Sequence, residues 1–199
     1  MRLVIGLVLI VTPASSQGVT PYTVTEVVRE FDAAGKVISE SRFLFAVNRD
    51  GSIVSVDLDP ATGGASQILD VVNSRNIMLN PKARSATVMR HRNPPWGSER
   101  SRGAERYVRG DASPDVSINK SAGRVLGVAV ELVNFANRDG SSHELYLAPS
   151  LGCQGMKFVI RRDGQSLESR IVENLRIGDP DSALFEIPTG YGVKTFALQ

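Results

Sequence analysis

Little in this sequence belongs to the usual equipment of a reactive site. A single cysteine stands in 199 residues, with only two histidines. One thiol cannot close an internal disulfide, and one cysteine with two histidines falls short of a zinc ligand set. Neither sign of charge dominates: 23 Lys+Arg against 21 Asp+Glu leave a formal net charge of +2. That balance gives no reason to expect nucleic acid as a partner. Long apolar runs are also missing, since crossing a bilayer as a helix takes about 20 such residues. What remains, 42% hydrophobic and 22% charged, is ordinary globular composition. It excludes collagen-like, disulfide-scaffold and strongly charged disordered chains.

The first segment reads as an address. Arg2 precedes the apolar run Leu3 to Val11, and Thr12-Pro13-Ala14-Ser15-Ser16-Gln17 breaks it with small residues. Charge, then apolar stretch, then small residues is the order of a secretory signal peptide. Residues 1–16 are expected to be that peptide, with cleavage after Ser16, Ala14 and Ser16 being the small pair. The plainer alternative is a buried N-terminal strand. Export places residues 17–199 outside the cytoplasm, as a single β-rich domain without a transmembrane helix.

Within that domain the dominant period is two. Tyr22-Thr23-Val24-Thr25-Glu26-Val27-Val28 interleaves β-branched and polar residues, as a strand with one buried face requires. Further strands are predicted over 37–47, 52–58, 67–73, 75–79, 85–91, 124–135, 142–147, 156–162, 166–175 and 192–198. The punctuation is that of hairpins. Asn48-Arg49-Asp50-Gly51-Ser52 recurs as Asn137-Arg138-Asp139-Gly140-Ser141, and Arg162-Asp163-Gly164 is a shorter version. Asp-Gly suits tight reversals because glycine accepts positive φ and aspartate bonds the local backbone. A short helix is expected over 179–185, with Asp179 as cap and Pro180 in the first position. The fold class is therefore mainly β: a single curved antiparallel sheet with one or two short helices.

Residues 90–114 have no period and little apolar content. They read as a long Arg-rich loop between two halves of the sheet. Arg90, Arg92, Arg100 and Arg102 lie in it with Trp96, followed by Arg106 and Arg109. Arginine beside an aromatic suits an anionic partner such as a headgroup or an acidic protein surface; a merely solvated loop is the plainer reading.

Several stretches together resemble a known family. Arg49-Asp50-Gly51 opens a strand, and Ile68-Leu69-Asp70 leads into Asn76-Ile77-Met78-Leu79-Asn80-Pro81. Gly123-Arg124-Val125-Leu126-Gly127-Val128-Ala129-Val130 follows the loop, then Glu144-Leu145-Tyr146-Leu147-Ala148-Pro149. The most specific part is Asp179-Pro180-Asp181 before Leu184-Phe185-Glu186-Ile187-Pro188. This order, from Phe43 to Tyr191, resembles uncharacterised secreted proteins of acidobacterial type. Those are distantly similar to the LolA-like periplasmic lipoprotein-carrier half-barrel family. The resemblance implies a curved sheet around a hydrophobic cavity, a lipid-like or apolar ligand, and no catalytic residues. The chain lacks the long amphipathic helix that would serve such a carrier as a lid.

The residues themselves offer weak chemistry. Cys153 and His143 would need to meet across two strands to make an activated nucleophile. Asp57 with Asp59 and Asp179 with Asp181 have a spacing that serves Ca²⁺ weakly and turns well. Glu26, Glu30 and Glu40 would be paired carboxylates only if brought to one face. The expectation is a non-enzymatic binding protein without a cofactor or metal. Its concave face would take an apolar or lipid-like ligand on Phe43, Phe45, Ile77, Leu79, Val128 and Val130. The alternative is a cell-envelope interaction protein that uses the sheet edge or the Arg-rich loop to hold an envelope protein.

Overall fold

The computed structural model describes residues 19–61, 63–92, 115–137 and 139–198. The predicted leader and its cleavage site, Trp96, Arg100, Arg102 and most of the Arg-rich loop lie outside them.

The first six strands form a meander: β1 (Tyr22–Phe31), β2 (Val37–Val47), β3 (Ile53–Asp57), β4 (Ser66–Asp70), β5 (Arg75–Asn80) and β6 (Ser85–His91). After the long connection come β7 (Asp115–Asn119), the two-residue strands β8 (Arg124–Val125) and β9 (Val128–Ala129), and β10 (Glu131–Ala136). A second meander continues through β11 (Ser141–Ala148), β12 (Gln154–Arg162) and β13 (Gln165–Ile177), and β14 (Gly192–Leu198) closes the order. β13 pairs with β1, which joins the two meanders into one sheet of order β14-β6-β5-β4-β3-β2-β1-β13-β12-β11-β10-β7. The sheet is curved and unclosed, and no described helix reaches seven residues.

Local chemistry sets the reversals. In both long twin turns the asparagine N–H donates to the serine carbonyl, Asn48 to Ser52 at 2.9 Å and Asn137 to Ser141 at 2.8 Å. In both, the aspartate side chain accepts from that serine's N–H, Asp50 at 2.7 Å and Asp139 at 3.0 Å. Between β12 and β13, Asp163 and Gly164 take φ of 51° and 78°, the two positive values that a two-residue hairpin needs.

Three features differ from the sequence expectation. The strand expected over 124–135 is broken, because Leu126 and Gly127 both adopt positive φ and fold β8 back onto β9. β7 adds an edge strand beside β10, carried by an alternation of only five residues. The short helix is a 3-10 turn, Ser182–Phe185, capped by the side chain of Asp181 rather than Asp179. Asp179 instead accepts from Arg49 across the chain at 2.7 Å.

Among the described strands, β14 and β6 form the one parallel pair. The route explains it. After β13, Gly178 N–H bonds the Pro21 carbonyl beside the start of β1, and Gly192 N–H bonds the Arg84 carbonyl at the start of β6. Residues 179–191 thus cross the sheet, the long return that parallel pairing requires. Leu184, Phe185, Ile187 and Tyr191 of this crossing pack on Ala46, Val54, Ile68, Ile77, Ala86 and Val88. That is the core of the outer face.

The inner face has its own core at the end where β1 begins. Tyr22, Val24, Val47, Ile53, Leu69, Met156 and Val172 are covered there by Leu151 and by the β8–β9 hairpin, through Val125, Val128 and Val130. The Tyr22 hydroxyl, deeply buried, donates to Gln154 Oε1 at 2.7 Å. Burial pushes its pKa up. The far end of the inner face carries no such cover among the described residues.

Candidate functional site

Register decides which side chains share the uncovered end. Glu26, Val28 and Glu30 of β1 stand opposite Phe43, Ser41 and Ser39 of β2. The same three stand opposite Val172, Arg170 and Glu168 of β13 on the other side. Phe45 continues the row to Ser55 of β3, then Gln67 of β4 and Met78 of β5. These residues line one groove of about 460 Å³. Six adjacent strands contribute to it. Laid flat they would spread over about 24 Å, so a shared groove requires the sheet to bend toward this face.

The floor is apolar. Val28, Phe43 and Phe45 lie along it, the two rings 6.4 Å apart and tilted, with Met78 half exposed at one end. The walls are polar: besides serines and Gln67 they carry, among the described residues, the carboxyls of Glu26, Glu30, Asp57 and Glu168 against Arg170. Arg170 Nε donates to Glu168 at 2.7 Å, its guanidinium lies 3.9 Å from Glu26, and it sits 5.9 Å above the Phe158 ring. Burial pushes the Glu26 carboxyl above its usual range; Arg170 pulls it down and Glu168 pushes it up again. On the outer face the charges are paired differently. Arg29 and Arg42 both donate to Glu40, at 2.8 and 3.1 Å, and Arg42 reaches Glu173 at 3.7 Å. Of the three glutamates singled out in the sequence, Glu26 and Glu30 therefore meet at the groove and Glu40 does not.

Phe43 and Phe45 lie in the groove. Leu79 borders its end while packing in the outer-face core, and Ile77 is buried in that core. Val128 and Val130 belong to the hairpin that covers the other end of the inner face. Arg90 is exposed on β6, in register with Arg75, and Arg92 is exposed just beyond the strand. Val28, Met78, Glu168 and Arg170 were not read from the sequence as a binding set. The alternation in β1 places Val28 between two inward glutamates. Glu168 and Arg170 reach the groove only through the β1–β13 pairing, which no local signal announces.

Cys153 and His143 do not converge. Cys153 N–H bonds the Ala148 carbonyl at one end of β11, and His143 lies near the other. The extended strand between His143 and Ala148 covers about 17 Å. His143 stacks on Phe135 at 4.6 Å between centroids, with Phe158 at 5.5 Å, and burial lowers its pKa. Asp57 accepts from the Asp59 N–H and Asp59 from the Ala61 N–H, each a local turn. Among the described residues no group of three His, Cys, Asp or Glu side chains gathers as metal ligands.

No protein-family model matches the sequence, and no curated protein matches it. Solved structures do. The chain is similar to an uncharacterized conserved protein from Thermus thermophilus, with a TM-score of 0.53 and 14% identity over 89% of this chain and 91% of that one. It is similar to MucB in the MucA/MucB complex of Pseudomonas aeruginosa, with a TM-score of 0.53 and 18% identity over 89% of this chain and 59% of that one. The chain thus spans less than two thirds of the length of MucB. A LolA superfamily protein, NE2245 from Nitrosomonas europaea, is also among the neighbours, at a TM-score of 0.38 and 9% identity over 88% and 92% of the two chains. At these identities the shared property is the fold. No match supports the finer likeness to secreted acidobacterial proteins.

Proposed function

We propose that this chain is an extracytoplasmic, non-enzymatic binding protein that holds a small apolar or lipid-like molecule on the inner face of its sheet. The observation that carries this reading is the groove of about 460 Å³ floored by Val28, Phe43 and Phe45. A core that only needed filling would close over these side chains, as it does at the Tyr22 end. The volume falls in the range of small-molecule sites, about 300–1,000 Å³. An outside location rests on the signal-like order of residues 1–16, in keeping with the periplasmic part of MucA named in the MucB complex.

Native mass spectrometry of the exported protein, followed by lipid extraction, tests the reading. A co-purifying apolar molecule is the expected result. A clean apo mass, together with no uptake of added amphiphiles, overturns it.

A second reading is favoured by the edge at β14. Residues 192–197 of the strand are exposed, with Val193 and Phe196 about half open to solvent and Lys194 the one charged side chain among them to discourage pairing by another chain. An envelope protein adding a strand there would make the chain an interaction module. A partner crosslinked through β14 in a protein whose groove is empty supports that alternative.

A further inference from the structure

We propose that the occupant of the groove is a small amphiphile whose polar end is positively charged. This rests on the binding reading above and assigns the ligand's charge. The chain as a whole is close to neutral, at +2. Among the described residues the groove is not: four carboxyl side chains, Glu26, Glu30, Asp57 and Glu168, face one arginine. That arginine is already engaged, hydrogen-bonded to Glu168, next to Glu26 and laid over Phe158. It is poorly placed to capture an anion as well.

The carboxyls are also arranged at a cost. Glu30 and Glu168 are directly opposite each other in the β1–β13 register. Like charges facing across two strands destabilise a sheet, and a cation lodged between them reverses the sign. Glu30 makes no ion pair among the described residues. The Phe43 ring, opposite Glu26, and the Phe45 ring beyond it lie further along the same groove and offer apolar surface for the ligand's chain. Size argues for a small molecule over a peptide, because about 460 Å³ lies in the lower half of the usual range for small-molecule sites.

The test uses the full chain and three probes that share a dodecyl tail: dodecyltrimethylammonium, dodecyl maltoside and dodecanoate. Each is titrated calorimetrically below its micellar concentration. The ammonium should bind about tenfold tighter than the maltoside, with dodecanoate weakest. High salt should narrow the gap, since screening acts on the charge and not on the tail. Glu30→Gln should cut the ratio of ammonium to maltoside affinity to about threefold, while the melting temperature reports that the fold is retained. Equal affinity for ammonium and maltoside overturns the charge assignment and leaves the binding reading in place. Tightest binding of dodecanoate does the same and makes Arg170 the anchor. No binding of any probe overturns both.

Discussion

Glu26 is a carboxyl whose surroundings oppose its charge. Burial raises its pKa, and the nearby Arg170 only partly compensates. A raised carboxyl favours the folded state while it is protonated. Its contribution is full below the ordinary glutamate range and is lost as pH rises through the folded pKa. Glu26→Gln should therefore stabilise the protein at neutral pH, with the advantage vanishing as the medium is acidified below that range. Thermal melts of both proteins across pH 3–8 check the sign, and a variant less stable at pH 7 contradicts it. Tyr22 poses the opposite problem, a neutral polar group fully enclosed in the inner-face core. Its hydroxyl is satisfied by Gln154. Tyr22→Phe leaves the ring in place and strands the Gln154 acceptor, at a cost of about 1–2 kcal/mol, read from urea unfolding.

The turns and the crossing segment act at the scale of the element. The Asp163-Gly164 reversal has open space around the position that a Cβ would take at Gly164. Gly164→Ala therefore meets no clash, and only its positive φ is penalised. The expected loss is about 1–2 kcal/mol in chemical unfolding, with the groove's affinity unchanged. A larger loss would mean that the β12–β13 hairpin moves as a whole. The two long twin turns share hydrogen bonds because they share a sequence, and this was legible from five residues alone. The same local reading missed the cap of the 3-10 turn. Asp179 and Asp181 are equally good caps by type, but Arg49, from the first meander, draws Asp179 away. The β8–β9 hairpin was hidden for a related reason. Val128 and Val130 keep the alternation of a straight strand, and Val125, three residues before Val128, joins their face only because the chain reverses at Leu126-Gly127 to cover Tyr22 and Met156.

For the whole molecule, the proposed function turns on the division of the inner face. One end is closed by Leu151 and the β8–β9 hairpin, and the other is left as a groove. Ser41, half-buried in the groove wall beside Val28, offers a way to fill that space from within. Ser41→Trp should abolish uptake of dodecyl maltoside while shifting the melting temperature little, because the new ring occupies empty volume and displaces no core side chain. Retained uptake at unchanged stability would place the ligand elsewhere. Phe43 and Phe45 were visible from sequence as an inward pair in β2. Ile77 has the same composition and period, yet it serves the outer core. Alternation reports which residues share a face and is silent on whether that face is covered.

The sequence by itself determined the mainly β class, nearly every strand and the turn chemistry. These follow from neighbours within a few residues, through period-two patterning and Asp-Gly reversals. Tertiary structure alone decided the β1–β13 junction, the parallel β14, the covered and open ends of the inner face, and the gathering of Glu26, Glu30, Glu168 and Arg170. Those depend on register between segments more than 100 residues apart, where pairing is selected by which curved arrangement buries both cores at once.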